Sequence, residues 1–367
     1  MRNRESGLTL VELLVSLVIT SLLATAIFSF FLNIGQSVSH QSANGEMWQR
    51  GRNAMAIMRQ AIESAGYGLP SYNQCPNGVV GNSGGSAVAM VAITALVQST
   101  GYVPSSTSTY SFSTVIGGGT FGDAPATIVT GTRASGHSEN IPVATTRALK
   151  LCDYALFVPS GGGGACLMGQ ITNIPHNAVG LNSGASCGAS LNPNQIFLTP
   201  LHGTNGTTAT IGTGASLYDL GYQHFLFERF QIMENPAGGT PTLYMTQYTG
   251  LPSQSATPTP QALASGVVDI QMQYGLGSDG SVQNWVAPVN YSPGSGESIV
   301  AVKLAMLIRS TRYLPNSVSP SSFNLLGHTY TVPVTGGPGC MQGNCRHYEY
   351  HLFQSIIPVR NGIWGGE

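Results

Sequence analysis

The chain has 367 residues and a formal net charge of −1, with 8% of residues charged against a usual ~25%. Charge this sparse, with 47 glycines and plentiful Ser, Thr and Asn, argues against a basic nucleic-acid-binding protein and against the charged surface of a cytosolic enzyme. A hydrophobic content of 42% excludes wholesale disorder, so the composition fits loop-rich β structure outside the cytosol.

The first element is an apolar helix over residues 6–32 (SGLTLVELLVSLVITSLLATAIFSFFL), whose one charge, Glu12, stands near its start. Arg2, Arg4 and Gly7 precede it, and no further formal charge follows until Glu46. The run is long enough to cross a hydrocarbon core of ~30 Å. A carboxylate at its mouth demands a partner, since a charge within a membrane costs roughly 2.5–3.5 kcal/mol even on the lenient scale. No small-residue cleavage motif follows the apolar stretch, so it stays with the mature protein. Two arginines before it and none soon after predict a cytoplasmic N-terminus, with everything past about residue 35 outside.

Beyond the apolar run the helix turns amphipathic. Met47, Ala54, Met55, Met58, Ala61, Ile62 and Ala65 recur at three- and four-residue steps, while Arg50, Arg52, Arg59, Gln60 and Glu63 mostly take other faces. The cations are interleaved with Glu46 and Glu63, which reads as helical ion pairing rather than a nucleic-acid stripe. Gly66, Gly68 and Pro70 end the helix.

Residues 71–215 are Gly/Ser/Thr-rich, with strands expected at Ala87–Leu96, Leu149–Val158 and Gln195–Leu198. The run Gly161–Gly164 lacks the Lys-Ser/Thr of a phosphate loop. From 216 onward the pattern is clearer. His224–Met233 and Pro241–Tyr248 read as a hairpin around Gly238-Gly239. Val267–Tyr274 alternates and leads into a turn at Asp279-Gly280. In Glu297–Arg309, Val300, Val302, Leu304, Met306 and Ile308 are expected to share a buried face, with Lys303 and Arg309 opposite. His351–Val359 is an apolar terminal strand. These strands predict an antiparallel sheet with one face against the amphipathic half of the helix.

Six cysteines, Cys75, Cys152, Cys166, Cys187, Cys340 and Cys345, follow the apolar helix, so they lie in an oxidising compartment and allow up to three disulfides. Connectivity is open; proximity along the chain favours Cys340–Cys345 and Cys166–Cys187. The spacing of Cys340, Cys345, His347 and His351 superficially suggests zinc ligands, but it matches no common finger and a short-loop disulfide fits better. Asp279 stands alone as an acid in its turn, which suits a plain turn better than a calcium site. Asn205-Gly206-Thr207 matches a glycosylation sequon. The histidines are otherwise scattered, so no catalytic residue, metal site or cofactor is expected.

Several blocks, in their order, resemble the PilW family of type IV pilus minor pilins. These are the leader with Glu12, Arg52–Gly68 (RNAMAIMRQAIESAGYG), Leu263–Gly275 (LASGVVDIQMQYG), Ile308–Ser310 and Val359–Asn361. The resemblance implies an α+β, pilin-like fold: a long N-terminal helix packed on a large antiparallel β-rich head. Its divisions are a cleaved leader (1–7), a transmembrane half-helix (8–34), an amphipathic half-helix (35–68) and a periplasmic head (69–367), Gly/Ser-rich over 71–215 and better patterned over 216–367.

The resemblance also implies cleavage by a prepilin peptidase between Gly7 and Leu8, N-methylation of Leu8, and a Glu12 that sets subunit register by neutralising a neighbour's terminal ammonium. Partners would be other minor pilins, the major pilin, the inner-membrane assembly platform and the bilayer, with no nucleic-acid contact identifiable. The chain would prime pilus assembly and sit at the pilus tip. Two alternatives are a J-type minor pseudopilin of a type II secretion system and a membrane-tethered adhesive module. Leu8 departs from the Phe or Met usual at the first mature position, and Ser29 replaces the proline usual within the membrane helix.

Overall fold

The computed structural model describes residues 10–70, 75, 79–80, 92–99, 102, 104, 108–118, 125–130, 132–135, 138–160, 166–182, 208–221, 225–234, 239–249, 258–277, 280–292, 297–314, 318–334, 340 and 343–360. Helix α1 spans Leu10–Ser64 without a break, 55 residues free of proline, which is about 82 Å of rod. It runs straight through Ser29, whose hydroxyl donates to the Ala26 carbonyl at 2.8 Å. Ser16, Ser21 and Thr25 likewise donate to backbone carbonyls within α1, at 2.9, 2.8 and 2.8 Å, and Thr20 to the carbonyl of Ser16. An apolar rod can carry these hydroxyls into lipid only because each is satisfied by its own helix.

The helix ends where the backbone turns left-handed, at Gly66 (φ 78°) and Gly68 (φ 71°). A Cβ on Gly68 would lie 2.4 Å from the Gly117 carbonyl oxygen, so glycine is required both for the turn and for the close passage of the next strand. Gly66 N–H donates to Val115 O at 2.7 Å and Gly117 N–H to Tyr67 O at 2.8 Å, tying the helix exit to the head.

Two sheets and the second half of α1 share the main core. The first sheet has the order β14-β13-β12-β3-β2, with β2 at Ile93–Val97, β3 at Tyr110–Ile116, β12 at Leu226–Glu234, β13 at Pro241–Thr249 and β14 at Gln261–Ser265. The second has the order β16-β15-β17-β20, with β15 at Val267–Gly277, β16 at Asn284–Val286, β17 at Ser298–Arg309 and β20 at Tyr350–Pro358. All pairings in both are antiparallel. The expected hairpin is β12–β13, in register from Leu226↔Thr249 to Glu234↔Pro241. The core is dense with aromatics: Phe112 and Phe230 stack at 4.7 Å between ring centroids, and the Tyr274 hydroxyl accepts from Ala95 N–H at 2.7 Å across the two sheets.

One expectation for β17 is corrected. Its second face is not solvent-facing: Ala305, Leu307 and Arg309 are buried along with Leu304, Met306 and Ile308. A hairpin of β18 (Ser322–Leu325) and β19 (His328–Thr331) and the segment around Tyr348 cover that face. Gln273 donates to the hairpin's Leu326 carbonyl at 3.2 Å, and Phe323 lies against Tyr350. The Arg309 guanidinium sits over the Tyr348 ring at 4.1 Å and donates to Cys345 Sγ at 3.1 Å. Lys303 is half-buried and lies over Trp285 at 4.1 Å. A cation in a strand therefore did not mark a wet face; both found aromatic covers.

A second body of β structure is drawn from the chain between β3 and β12, joined by one short strand, β1 (Val79–Val80), that precedes β2. Its largest sheet has the order β1-β8-β7-β11-β4, with β1 at Val79–Val80, β4 at Ala126–Thr127, β7 at Tyr154–Val158, β8 at Cys166–Gln170 and β11 at Ser216–Gly221. The β1–β8 pair is parallel, a local exception to the antiparallel expectation. Two small pairs complete it: β5 (Thr132–Ser135) with β10 (Thr208–Ile211), and β6 (Ser138–Pro142) with β9 (Ala178–Asn182). The strand expected at Leu149–Val158 begins only at Tyr154, because a turn over Lys150–Asp153 puts Cys152 at φ 73°. Of the strand expected at Ala87–Leu96, residues 93–96 lie in β2, while 87–91, like Gln195–Leu198, lie outside the described residues.

Cys75 is joined to Cys166, and Cys340 to Cys345. The Cys166–Cys187 pairing favoured by proximity is thus corrected: β8 brings Cys166 beside the segment that follows the helix, 91 positions back in sequence. Cys152 is also disulfide-bonded; Cys187 lies outside the described residues.

Candidate functional site

The feature with the clearest chemical consequence is α1 itself, which has two surfaces of opposite kind. Over Leu10–Leu32 it is long and apolar enough to cross a membrane, and no part of this stretch is buried by the head. Leu10, Leu17, Leu22, Phe28 and Phe31 are all more than 60% exposed, an apolar surface far beyond the few hundred Å² a water-soluble monomer shows. Twenty-three residues at 1.5 Å each give roughly 35 Å, enough for the hydrocarbon layer. Glu12 is exposed and occupies the first turn, where the helix's exposed N–H groups favour a carboxylate. Gly7 and Leu8 lie outside the described residues.

From Ala43 the same rod becomes a packed core helix. Ala43, Met47, Ala54, Met58, Ile62 and Ala65 are buried, following three- and four-residue steps, and Met55 packs at the margin. The stripe includes Gly51, where a Cβ would lie 2.1 Å from the Phe353 ring of β20. With no side chain there, β20 approaches the helix closely enough for the Phe353 ring to lie against its backbone. The ring is held edge-on to Trp48 at 5.3 Å and to His351 at 4.7 Å.

Polar contacts to Glu349, Ser265 and Arg360 fix the seat. His40 Nδ1 and Glu349 Oε1 are 2.6 Å apart at the point where the helix meets the head. Arg50 Nη1 donates to Ser265 Oγ at 2.7 Å, reaching the end of β14. Near the helix end, Glu63 takes Arg59 at 2.6 Å and Arg360 at 3.8 Å. Burial lowers the Arg50 pKa, and Glu46 offsets part of that; burial also lowers the pKa of His351, whose ring lies 3.8 Å from that of Trp48.

Sequence reasoning placed Arg50 on an outer face and gave His40, Trp48 and Gly51 no role. Apolar spacing could locate the stripe, but which polar residues border it depends on strands some 200 to 300 positions away. The histidines and cysteines weighed as zinc ligands are otherwise engaged. Cys340 and Cys345 share a disulfide, His351 packs on Trp48, and His347 lies by Tyr313 at 5.2 Å. Among the described residues no group of three or more His, Cys, Asp or Glu is placed to hold a metal ion. Asp279 and the sequon at Asn205 lie outside the described residues.

Two family models match the chain. Residues 2–28 match the prokaryotic N-terminal methylation motif, and residues 229–361 match Type IV Pilus-assembly protein W. The first covers the leader and most of the exposed apolar rod; the second starts within β12 and runs past β20. No curated protein and no solved structure matches the chain.

Proposed function

We propose that this chain, a PilW-like type IV pilus protein with a prepilin leader, is a minor pilin that primes pilus assembly at the bacterial inner membrane and then sits at the pilus tip. The observation that carries the reading is the division of one unbroken helix into an apolar half with no cover and a half locked into the head. Such a rod is at rest in lipid and can leave it only into the company of other apolar rods.

In this reading a prepilin peptidase cuts between Gly7 and Leu8 and methylates Leu8, and Glu12 becomes the fifth mature residue. Its carboxylate pairs with the terminal ammonium of a neighbouring rod, each charge removing the other's desolvation penalty. Misregistered rods leave both charges unpaired in lipid, so the pair rewards one axial register. The head stands in the periplasm and docks on the heads of other minor pilins, and the complex offers a template to which the assembly platform adds major pilin. The chain supplies packing surface and register; the mechanical work is the motor's.

The test is Glu12→Ala in cells that make pili, scored for leader cleavage by intact mass and for surface pili by shearing. Cleavage is expected to be unchanged and pili to fall severalfold. Normal piliation in cells carrying that variant would remove the pairing from the mechanism. Deleting the whole chain should leave few pili; abundant pili that no longer adhere would instead mark an adhesive module.

A further inference from the structure

The β3–β12 pair has an unusual connection. Ile116, at the end of β3, is the direct cross-strand partner of Leu226, at the start of β12. Everything from 117 to 225 therefore leaves and rejoins the first sheet at a single place, as an insertion into a hairpin. That stretch contains β4 to β11, whose pairings among the described residues are with one another and with the two-residue β1.

It also has its own core. Ile128, Ile141, Phe157, Ile171, Val179 and Leu217 form a buried cluster drawn wholly from within the insertion. A second cluster forms the seam, where Leu69 and Val115 of the body meet Leu156, Met168 and Leu220, and the Cys75–Cys166 disulfide crosses it. The family match for the head begins at residue 229, just after the insertion closes.

The seam lies at the exit of α1, the end opposite the apolar segment. From Leu32 to Ser64 is roughly 48 Å of helix. The point of attachment is therefore separated from the apolar segment by the whole length of the packed half of the rod.

We propose that residues 117–225 are a separable inserted module, bolted by the Cys75–Cys166 disulfide beside the exit of α1, which takes no part in anchoring or in bundling the rods. Anchoring and assembly belong to α1 and the two-sheet body.

The first test is hydrogen exchange on the full-length mature chain in detergent, wild type against Leu217→Ala, which opens a cavity in the insertion's own core. Amides of β7 and β11 are expected to lose protection by about 30-fold or more, while those of β15 and β17 stay as in wild type. Parallel loss in β15 and β17 would make the two parts one folding unit and overturn the proposal.

The second test replaces residues 118–224 by an Asn-Gly turn between the paired strand ends, with Cys75→Ser to avoid a free thiol. This chain is expected to accumulate in membranes, to form the Cys340–Cys345 disulfide, and to support as many pili as wild type. Degradation of the shortened chain, or pili reduced to the level of a whole-chain deletion, would also overturn it. Should the whole-chain deletion leave pili untouched, the priming role fails, and the exchange experiment alone decides on the module.

Discussion

Gly51 and Asp269 show how single side chains, or the lack of one, shape the head. At Gly51 any side chain must displace the Phe353 ring, which Trp48 and His351 already hemmed in. Gly51→Leu is expected to lower the stability of the head by about 1–3 kcal/mol, read as a drop in the thermal midpoint of the detergent-solubilised chain. Phe353→Ala in the same chain should restore part of that loss by making room; no recovery would show that the ring is not the obstacle. Asp269 is fully buried on β15, and burial, only partly offset by hydrogen bonds from Gln271 and Thr109, raises its pKa to about 6. The folded state thus holds this proton more tightly than the unfolded chain. Its contribution is fully present below about pH 4, and is lost as pH rises through 6, a difference of about 3 kcal/mol between the two limits. His351 acts with the opposite sign: its lowered pKa makes the fold less stable as pH falls below the ordinary histidine value. Asp269→Asn separates the two. The variant should be more stable than wild type at pH 7.5 and should lose the part of the gain on acidification that Asp269 contributes, measured by urea unfolding at pH 5 and 7.5. A wild-type-like pH profile in Asp269→Asn would refute that assignment.

Among the elements, α1 was the most legible. Its length followed from the absence of proline, its apolar half from composition, and its docking stripe from three- and four-residue spacing, because a helix face is a local property of the chain. Met58, at the centre of the stripe and fully buried, gives the measure of that docking: Met58→Ala should cost about 2–5 kcal/mol, seen as earlier proteolysis of the head with the apolar segment still in the membrane fraction. Unchanged protease resistance would mean the stripe contributes little. β17 was half legible. Alternation marked Val300 to Ile308 as buried, but the burial of its other face depends on the β18–β19 hairpin and the Tyr348 segment, which arrive from later in the chain. Arg50 was assigned an outer face and His40 no role for the same reason, since their partners Ser265 and Glu349 are distant in sequence. In the Gly/Ser/Thr-rich stretch the apolar runs of β2 and β7 were legible, while β4, β5 and β6 hold few apolar residues and little periodic signal, and only pairing revealed them.

Taken whole, the molecule is an apolar rod, a two-sheet body fastened around the rod's far half, and a second β body inserted between two neighbouring strands of the first. The exposed rod is long and apolar enough to hold the protein in a membrane. It should stay in the membrane fraction through an alkaline carbonate wash, and release into the supernatant would contradict a spanning helix. From the sequence alone came the leader, the anchor, the docking stripe, the β-rich head and its better-patterned strands, along with the resemblance to PilW-type pilins. All of these reside in neighbouring residues, where hydropathy and helix or strand period act directly. Tertiary structure alone decided that Cys166 pairs with Cys75, that Arg309 is buried beneath Tyr348, that Gly51 admits Phe353, and that Ile116 and Leu226 close an insertion. Each of these joins positions tens to hundreds of residues apart, and burial, charge cover and disulfide geometry arise only when packing brings such positions within a few ångströms.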